Sequence, residues 1–126
     1  MRELLIKRCA KCGSVVKVLH DCECGGDCGI KCCGEKMITL KANSTDGASE
    51  KHVPEYVIND GFVEVTVNHV MDPDHYIEWI AALYEDKERV QYLEPGKDAK
   101  AKFKYKEGMT LYSYCNKHLL WKTDVK

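Results

Sequence analysis

Seven of the eight cysteines in this chain fall within its first 33 residues. A segment this short cannot bury a self-sufficient apolar core, so disulfides or a bound metal must stabilise it. The pair Cys9-x-x-Cys12 favours metal, because this spacing places two sulfurs on one side of a turn. Cys32 and Cys33 are adjacent, and adjacent cysteines rarely form a disulfide with each other. We therefore predict a small metal-binding domain over residues 1–38, in a protein of the reducing cytoplasm.

The spacing of these cysteines does not distinguish zinc from iron, because both metals accept four thiolates in a tetrahedron. The ligand set that the two pairs support is Cys9, Cys12, Cys32 and Cys33. If the centre is instead a four-iron, four-sulfur cluster, alternative ligands lie in the loop between the pairs: Cys22, Cys24 and Cys28. A zinc knuckle that only stabilises the fold is another interpretation of the same residues.

The composition is that of a globular protein without a strong charge bias. The chain has 126 residues, of which 44% are hydrophobic and 31% charged, and its formal net charge is −1. A near-neutral chain lacks the basic face of a general nucleic-acid-binding protein. The sequence contains no apolar run long enough to span a bilayer and no signal-peptide core, so we expect no membrane association.

After a polar linker at residues 41–50, the hydrophobic pattern has mainly a period of two. Valines alternate with polar residues over 63–67 after an Asn-Asp-Gly turn, and apolar residues alternate with lysines over 99–106. Residues 77–84 also fit a helix, but their aromatic and β-branched content favours a strand. Two more strand candidates are residues 90–93 and 111–115. We therefore predict an antiparallel β-sandwich over residues 39–126.

Four of the five histidines and the remaining cysteine lie in the predicted sandwich. They are His52, His69, His75, Cys115 and His118. Imidazole and thiolate together suit iron, copper or zinc, and Cys115-x-x-His118 can bind one ion from a single turn. His20 stands apart from this group, and we interpret it as an ordinary surface or core histidine. Asn116, beside Cys115, is a candidate for hydrogen-bonding or shielding the sulfur.

Three segments around these residues have specific sequences. They are Glu50-Lys51-His52-Val53-Pro54, His75-Tyr76-Ile77-Glu78-Trp79-Ile80 and Cys115-Asn116-Lys117-His118. With the cysteine pairs, they resemble the desulfoferrodoxins, which are the two-centre members of the superoxide reductase family. The resemblance covers nearly the whole chain and implies an all-β fold. In that fold, an immunoglobulin-like antiparallel β-sandwich follows a small cysteine-rich, desulforedoxin-like domain.

The resemblance implies a mononuclear iron in the sandwich, which alternates between the ferrous and ferric states. Four imidazoles would form its equatorial plane, those of His52, His69, His75 and His118. The thiolate of Cys115 would lie on the axis, opposite an open sixth position at which superoxide is reduced to hydrogen peroxide. Lys51 resembles the family's lysine that attracts superoxide, and Glu50 resembles the glutamate that caps the sixth position of ferric iron.

The resemblance also implies the biological setting. It indicates an oxidoreductase of oxidative-stress detoxification in an anaerobe, re-reduced by rubredoxin or a similar electron donor and assembled as a homodimer. The cysteine-rich loop at residues 22–28 departs from a simple four-cysteine first centre and is similar to the methanoferrodoxins, which carry a four-iron, four-sulfur cluster. The alternative functions are a non-catalytic iron electron-transfer protein and a structural zinc module. An open coordination position argues against the electron carrier, because a carrier gains nothing from it.

Overall fold

The computed structural model describes residues 3–23, 29–45 and 52–126. The chain divides into two compact units, a small one from Arg2 to Lys41 and a large one from Ala42 to Lys126. Within the described ranges every strand pairing is antiparallel and there is no helix, which confirms the predicted all-β class. Accordingly, nothing in these ranges forms a helix long and apolar enough to cross a membrane.

The small unit contains five short strands next to its cysteines. Their bounds are β1 Ile6–Arg8, β2 Val15–Lys17, β3 Lys31–Cys32, β4 Glu35–Lys36 and β5 Ile38–Thr39. β1 lies between β2 and β5 in one sheet, and β3 and β4 form a hairpin. The two hairpin-turn residues, Cys33 and Gly34, have positive φ angles of 56° and 79°, as expected for a tight two-residue turn. This turn holds Cys33 directly beyond the last residue of β3.

The large unit is a seven-stranded sandwich made of two sheets. Their strands are β6 Glu55–Asn59, β7 Phe62–Thr66, β8 Ile77–Leu83, β9 Glu88–Tyr92, β10 Lys100–Lys104, β11 Thr110–Cys115 and β12 Leu119–Asp124. One sheet has the order β10-β7-β6, and the other has the order β12-β11-β8-β9. Two antiparallel sheets that hold seven strands and exchange strands along the chain are the architecture of an immunoglobulin-like sandwich, so the predicted sandwich is confirmed.

The inner face of the sandwich follows from the alternation along the strands. In β7, Val63 and Val65 are fully buried, whereas Phe62, Glu64 and Thr66 on the other face are exposed. β7 is joined to β6 by the predicted Asn-Asp-Gly turn, in which Asp60 and Gly61 have φ angles of 54° and 82°. Positive φ at both central residues matches the twist of a hairpin, so the turn sets the register that buries the valines.

β8 contains a bulge that explains its ambiguous sequence pattern. Its pairing with β11 passes from Trp79 opposite Tyr114 directly to Ile77 opposite Cys115, so Glu78 is an extra residue on β8. Because of this residue, Ile77 and Ile80 both belong to the core although they are three positions apart. That spacing is typical of a helix, and here it arises from an irregular strand.

Candidate metal centres

The small unit brings together the four cysteines of the two pairs. Their sulfur atoms all lie within 4.8 Å of one another; the four residues are Cys9, Cys12, Cys32 and Cys33. The Cys12 and Cys32 sulfurs are 3.5 Å apart, and the Cys32 and Cys33 sulfurs are 3.9 Å apart. Cys9 and Cys12 lie on the turn after β1, and the other two lie at the end of β3. The arrangement is the four-thiolate set predicted for the first centre.

The thiols of this group have very different proton affinities. The Ser14 hydroxyl, 3.2 Å from the Cys12 sulfur, is the main cause that lowers the pKa of Cys12 to about 6. The pKa of Cys32 is raised to about 12, chiefly because its thiol hydrogen-bonds to the Cys12 sulfur. Without a metal, the thiolate of Cys12 therefore accepts a hydrogen bond from the thiol of Cys32. Four thiolates at this distance need a cation between them, so the donor set fits a bound metal.

The remaining cysteines of the first segment are not part of this group as far as the structure describes them. Cys22 is exposed and lies outside the group. Cys24 and Cys28 fall outside the described residues. None of the six cysteines that the structure describes forms a disulfide, which agrees with the preference for metal.

The large unit brings the second group together at one end of the sandwich. His52 precedes β6, His69 follows β7 and His75 precedes β8. Cys115 is the last residue of β11, and His118 lies in the turn to β12. Antiparallel pairing brings the start of β6 to the end of β7, and the start of β8 to the end of β11. The grouped donor atoms show that these two pairs of strand ends meet at the same end of the sandwich.

The four imidazoles of this group form a closed cycle in which each ring has two neighbours. The order around the cycle is His52, His69, His75 and His118. Neighbouring ring centroids are 4.6–5.2 Å apart, and neighbouring planes meet at 60–88°. The sulfur of Cys115 lies 3.6 Å from His69 Nε2 and 3.8 Å from His118 Nδ1. One donor atom from each of the five residues lies within 4.8 Å of the others.

The two sides of the imidazole cycle differ in their exposure. Cys115 is fully buried and belongs to the hydrophobic core, and His52 is only 3% exposed. His69, His75 and His118 are half-buried. The core therefore shields the sulfur and the His52 ring, whereas the other three imidazoles retain some contact with solvent.

Ring nitrogens of the four histidines lie close together within the cycle. His52 Nε2 and His118 Nδ1 are 3.1 Å apart. His75 Nε2 is buried and has no hydrogen-bond partner among the described residues. Burial is the main cause that lowers the pKa of His75 below its ordinary value of 6.5, so this imidazole is neutral near pH 7 and available as a ligand. A buried nitrogen without a partner beside a thiol and three other imidazoles fits a transition-metal ion.

Contacts outside the ligand set hold the rings in place. The ring of His69 donates from Nδ1 to the Val70 carbonyl oxygen at 2.6 Å, which leaves Nε2 unprotonated towards the cycle. The indole of Trp121 stacks on His52 with a centroid distance of 4.8 Å and an interplanar angle of 18°. Its Nε1–H also donates to the carbonyl oxygen of His118 at 2.9 Å. The Ser113 hydroxyl donates to the carbonyl oxygen of His52 at 2.6 Å.

Sequence analysis did not identify Trp121 or Ser113, because neither lies in a ligand motif and both contact His52, which is distant from them in sequence. Asn116 was considered for a contact with the Cys115 sulfur. Its side chain instead hydrogen-bonds to backbone groups of Asp74 and Tyr76. The two residues expected to act on the substrate, Glu50 and Lys51, lie outside the described residues.

Sequence comparison finds desulfoferrodoxins as relatives over nearly the whole chain. Residues 44–124 match the desulfoferrodoxin family. A desulfoferrodoxin of Syntrophotalea carbinolica is 37% identical over 126 residues, which cover 97% of both chains. A desulfoferrodoxin of Nitratidesulfovibrio vulgaris is 38% identical over 124 residues, which cover 95% of both chains.

Structure comparison finds the same fold in solved superoxide reductases. The crystal structure of the superoxide reductase from Treponema pallidum matches with a TM-score of 0.71 and 22% identity, covering 97% of this chain and 99% of that one. A variant of the superoxide reductase (neelaredoxin) of Ignicoccus hospitalis matches with a TM-score of 0.50 and 28% identity, covering 62% of this chain and 82% of that one.

Proposed function

The chain belongs to the desulfoferrodoxin family, and we propose that it is a superoxide reductase, an oxidoreductase that converts superoxide to hydrogen peroxide at a mononuclear iron. One observation carries the proposal: four imidazoles and one thiol in the large unit place their donor atoms within 4.8 Å of one another. Relatives named superoxide reductase with the same fold support the assignment of the substrate.

We propose that the large unit holds the iron through five side chains. Four imidazoles, from His52, His69, His75 and His118, and the thiolate of Cys115 would supply its donor atoms. Burial of Cys115 in the core supports this assignment, because it keeps water away from the sulfur, and the substrate would bind on the side away from it. Iron bound there would supply the one electron that, with two protons, reduces superoxide to hydrogen peroxide.

Lys51 and Glu50 are the residues we propose for the open side of the site, since both directly precede His52 in sequence. An ammonium group at this point gives a local positive field that attracts the superoxide anion, although the net charge of the chain is −1. The carboxylate of Glu50 would cover the open side after the electron has been transferred. Both roles come from the family resemblance.

We propose that the first domain, residues 1–38, receives electrons and that the second, residues 39–126, carries out the reduction. The four-thiolate group of the first domain fits a redox-active iron centre. A rubredoxin or similar small protein would be the electron donor, and the protein would act as a homodimer. Thiols without disulfides among the described residues support a location in the reducing cytoplasm.

The role of Lys51 is tested with ferrous protein and pulsed superoxide. Removing the ammonium in Lys51→Ala slows the second-order reaction about tenfold or more at low salt and weakens its dependence on ionic strength. Lys104→Ala is the matched control, because Lys104 pairs with the start of β7, whereas His69 follows the end of that strand. A Lys51→Ala rate equal to that of the control excludes the steering role.

The ligand assignment is tested with two further variants. Cys115→Ser and His118→Ala each remove one proposed donor, so both abolish superoxide reduction, and Cys115→Ser also abolishes the thiolate-to-iron absorption of the ferric protein. Wild-type absorption in Cys115→Ser would show that another residue supplies the sulfur. Full reduction of superoxide by His118→Ala would exclude that imidazole from the site.

A further inference from the structure

Asn116 connects the turn after β11 to the loop before β8. Its side-chain nitrogen donates a hydrogen bond to the carbonyl oxygen of Asp74, and its side-chain oxygen accepts one from the N–H of Tyr76, both at 3.0 Å. Its own backbone N–H donates to the carbonyl oxygen of Tyr76 at 3.3 Å. These partners lie immediately before and after His75. One side chain therefore binds both flanks of a candidate ligand from the segment that carries two other ligands.

The loop that carries His75 is closed on itself. Asp72 and His75 exchange two backbone hydrogen bonds, in which each N–H donates to the carbonyl oxygen of the other residue at 3.1 Å. Pro73 restricts the backbone between them. The ladder that joins this segment to β11 begins only at Ile77. Asn116 therefore attaches this loop to the turn after β11 at a point beyond the end of the ladder.

His75 lacks a support that the rings of His69 and His52 have. His69 has a ring hydrogen bond to Val70, and His52 stacks on Trp121. In contrast, Nε2 of His75 has no hydrogen-bond partner in the part of the chain that the structure describes. The backbone of the loop therefore positions this nitrogen together with the ring contacts to His69 and His118.

We infer that Asn116 is a positioning residue, which holds the His75 imidazole in register with the Cys115 thiolate and the His118 imidazole. The inference rests on the proposed iron centre and adds a residue outside its ligand set. The amide group is required, because it has a donor on one side and an acceptor on the other. An aspartate of the same size accepts from Tyr76 but places an oxygen against the carbonyl oxygen of Asp74. Alanine makes neither bond.

Asn43 provides a matched control within the same unit. Its side-chain oxygen accepts from the N–H of Lys122 at 2.9 Å, and its side-chain nitrogen donates to the carbonyl oxygen of Lys122 at 3.4 Å. Its backbone N–H donates to the carbonyl oxygen of Leu120 at 3.0 Å. Asn43 therefore makes the same three kinds of bond, but to β12, a strand that contributes none of the five proposed ligands.

The test compares iron-loaded, full-length wild type with Asn116→Ala, Asn116→Asp and Asn43→Ala. Two quantities are measured: the iron affinity of the sandwich site, by competition with a chelator, and the electron paramagnetic resonance spectrum of its ferric form. We expect both Asn116 variants to bind iron about 10–100-fold more weakly and to show an altered ferric spectrum. Asn43→Ala retains the wild-type affinity and spectrum, although it loses the same number of side-chain hydrogen bonds.

The outcomes separate this inference from the proposed function. If Asn116→Ala matches Asn43→Ala in both affinity and spectrum, Asn116 does not position His75. If the wild type binds no iron at the sandwich site, the proposed function fails instead. Should Asn116→Ala not fold, as judged by circular dichroism, Asn116→Asp decides the question, and wild-type behaviour of that variant overturns the inference.

Discussion

Trp121→Phe removes a residue that contacts two proposed ligands at once. Trp121 is 2% exposed, stacks on His52 and donates a hydrogen bond to the carbonyl oxygen of His118. Loss of the indole N–H costs about 0.5–1.5 kcal/mol. The smaller phenyl ring also stacks less well on His52, which costs a further ~0.5–1.5 kcal/mol. The free energy of unfolding of the metal-free sandwich is therefore expected to fall by ~1–3 kcal/mol.

The assay combines urea denaturation, followed by circular dichroism, with competition for iron against a chelator. Trp79→Phe is the control, because Trp79 stacks on Tyr114 at 5.5 Å instead of on a ligand ring. Both variants lose stability, but only Trp121→Phe loses iron affinity. If the two variants bind iron equally tightly, the stacking on His52 does not organise the site, and the reasoning is refuted.

Two further predictions concern protonation and sulfur hydrogen bonding. Because the folded state lowers the pKa of His75 below 6.5, the unfolded state binds more protons there, so the metal-free protein becomes less stable as the pH falls below that value. Urea denaturation between pH 5 and 7.5 checks this, and His75→Gln, which has no titrating ring, flattens the dependence; an unchanged slope contradicts the assignment. Ser14→Ala removes the hydroxyl beside the Cys12 sulfur, so it lowers the reduction potential of the first iron centre, since a hydrogen bond to a thiolate favours the reduced form. A redox titration measures this, and an unchanged or higher potential excludes the effect.

The sequence predicted those parts of the fold that depend on local pattern. The alternation over Val63–Val67 and the Asn-Asp-Gly turn predicted β7 and its hairpin, because a period of two and positive φ angles are local properties. β12 was not predicted, although Leu119–Asp124 pairs with β11 along its whole length. Its sequence has no clean alternation, and its strand conformation depends on that partner. The bulge at Glu78 likewise results from the pairing with β11.

The candidate site shows the same division. The ligand types and their spacing, together with the family resemblance, predicted the two groups that the structure brings together. The residues that hold the ligands were not predicted, because Trp121 reaches His52 across the fold and Asn116 reaches Asp74 from another segment. Such contacts depend on strand register and side-chain direction. Both are determined by the folded structure and cannot be derived from the sequence of a single chain.

The most direct test of the central claim is the product balance of the iron-loaded ferrous protein after a calibrated dose of superoxide. Hydrogen peroxide and dioxygen are quantified while the oxidation of the iron is followed optically. For each superoxide consumed, the account predicts that one hydrogen peroxide forms and one ferrous iron of the large unit is oxidised. It predicts that no dioxygen is released. Release of dioxygen with half that yield of peroxide would indicate dismutation, and superoxide that decays at its uncatalysed rate would indicate no reaction; either result contradicts the account.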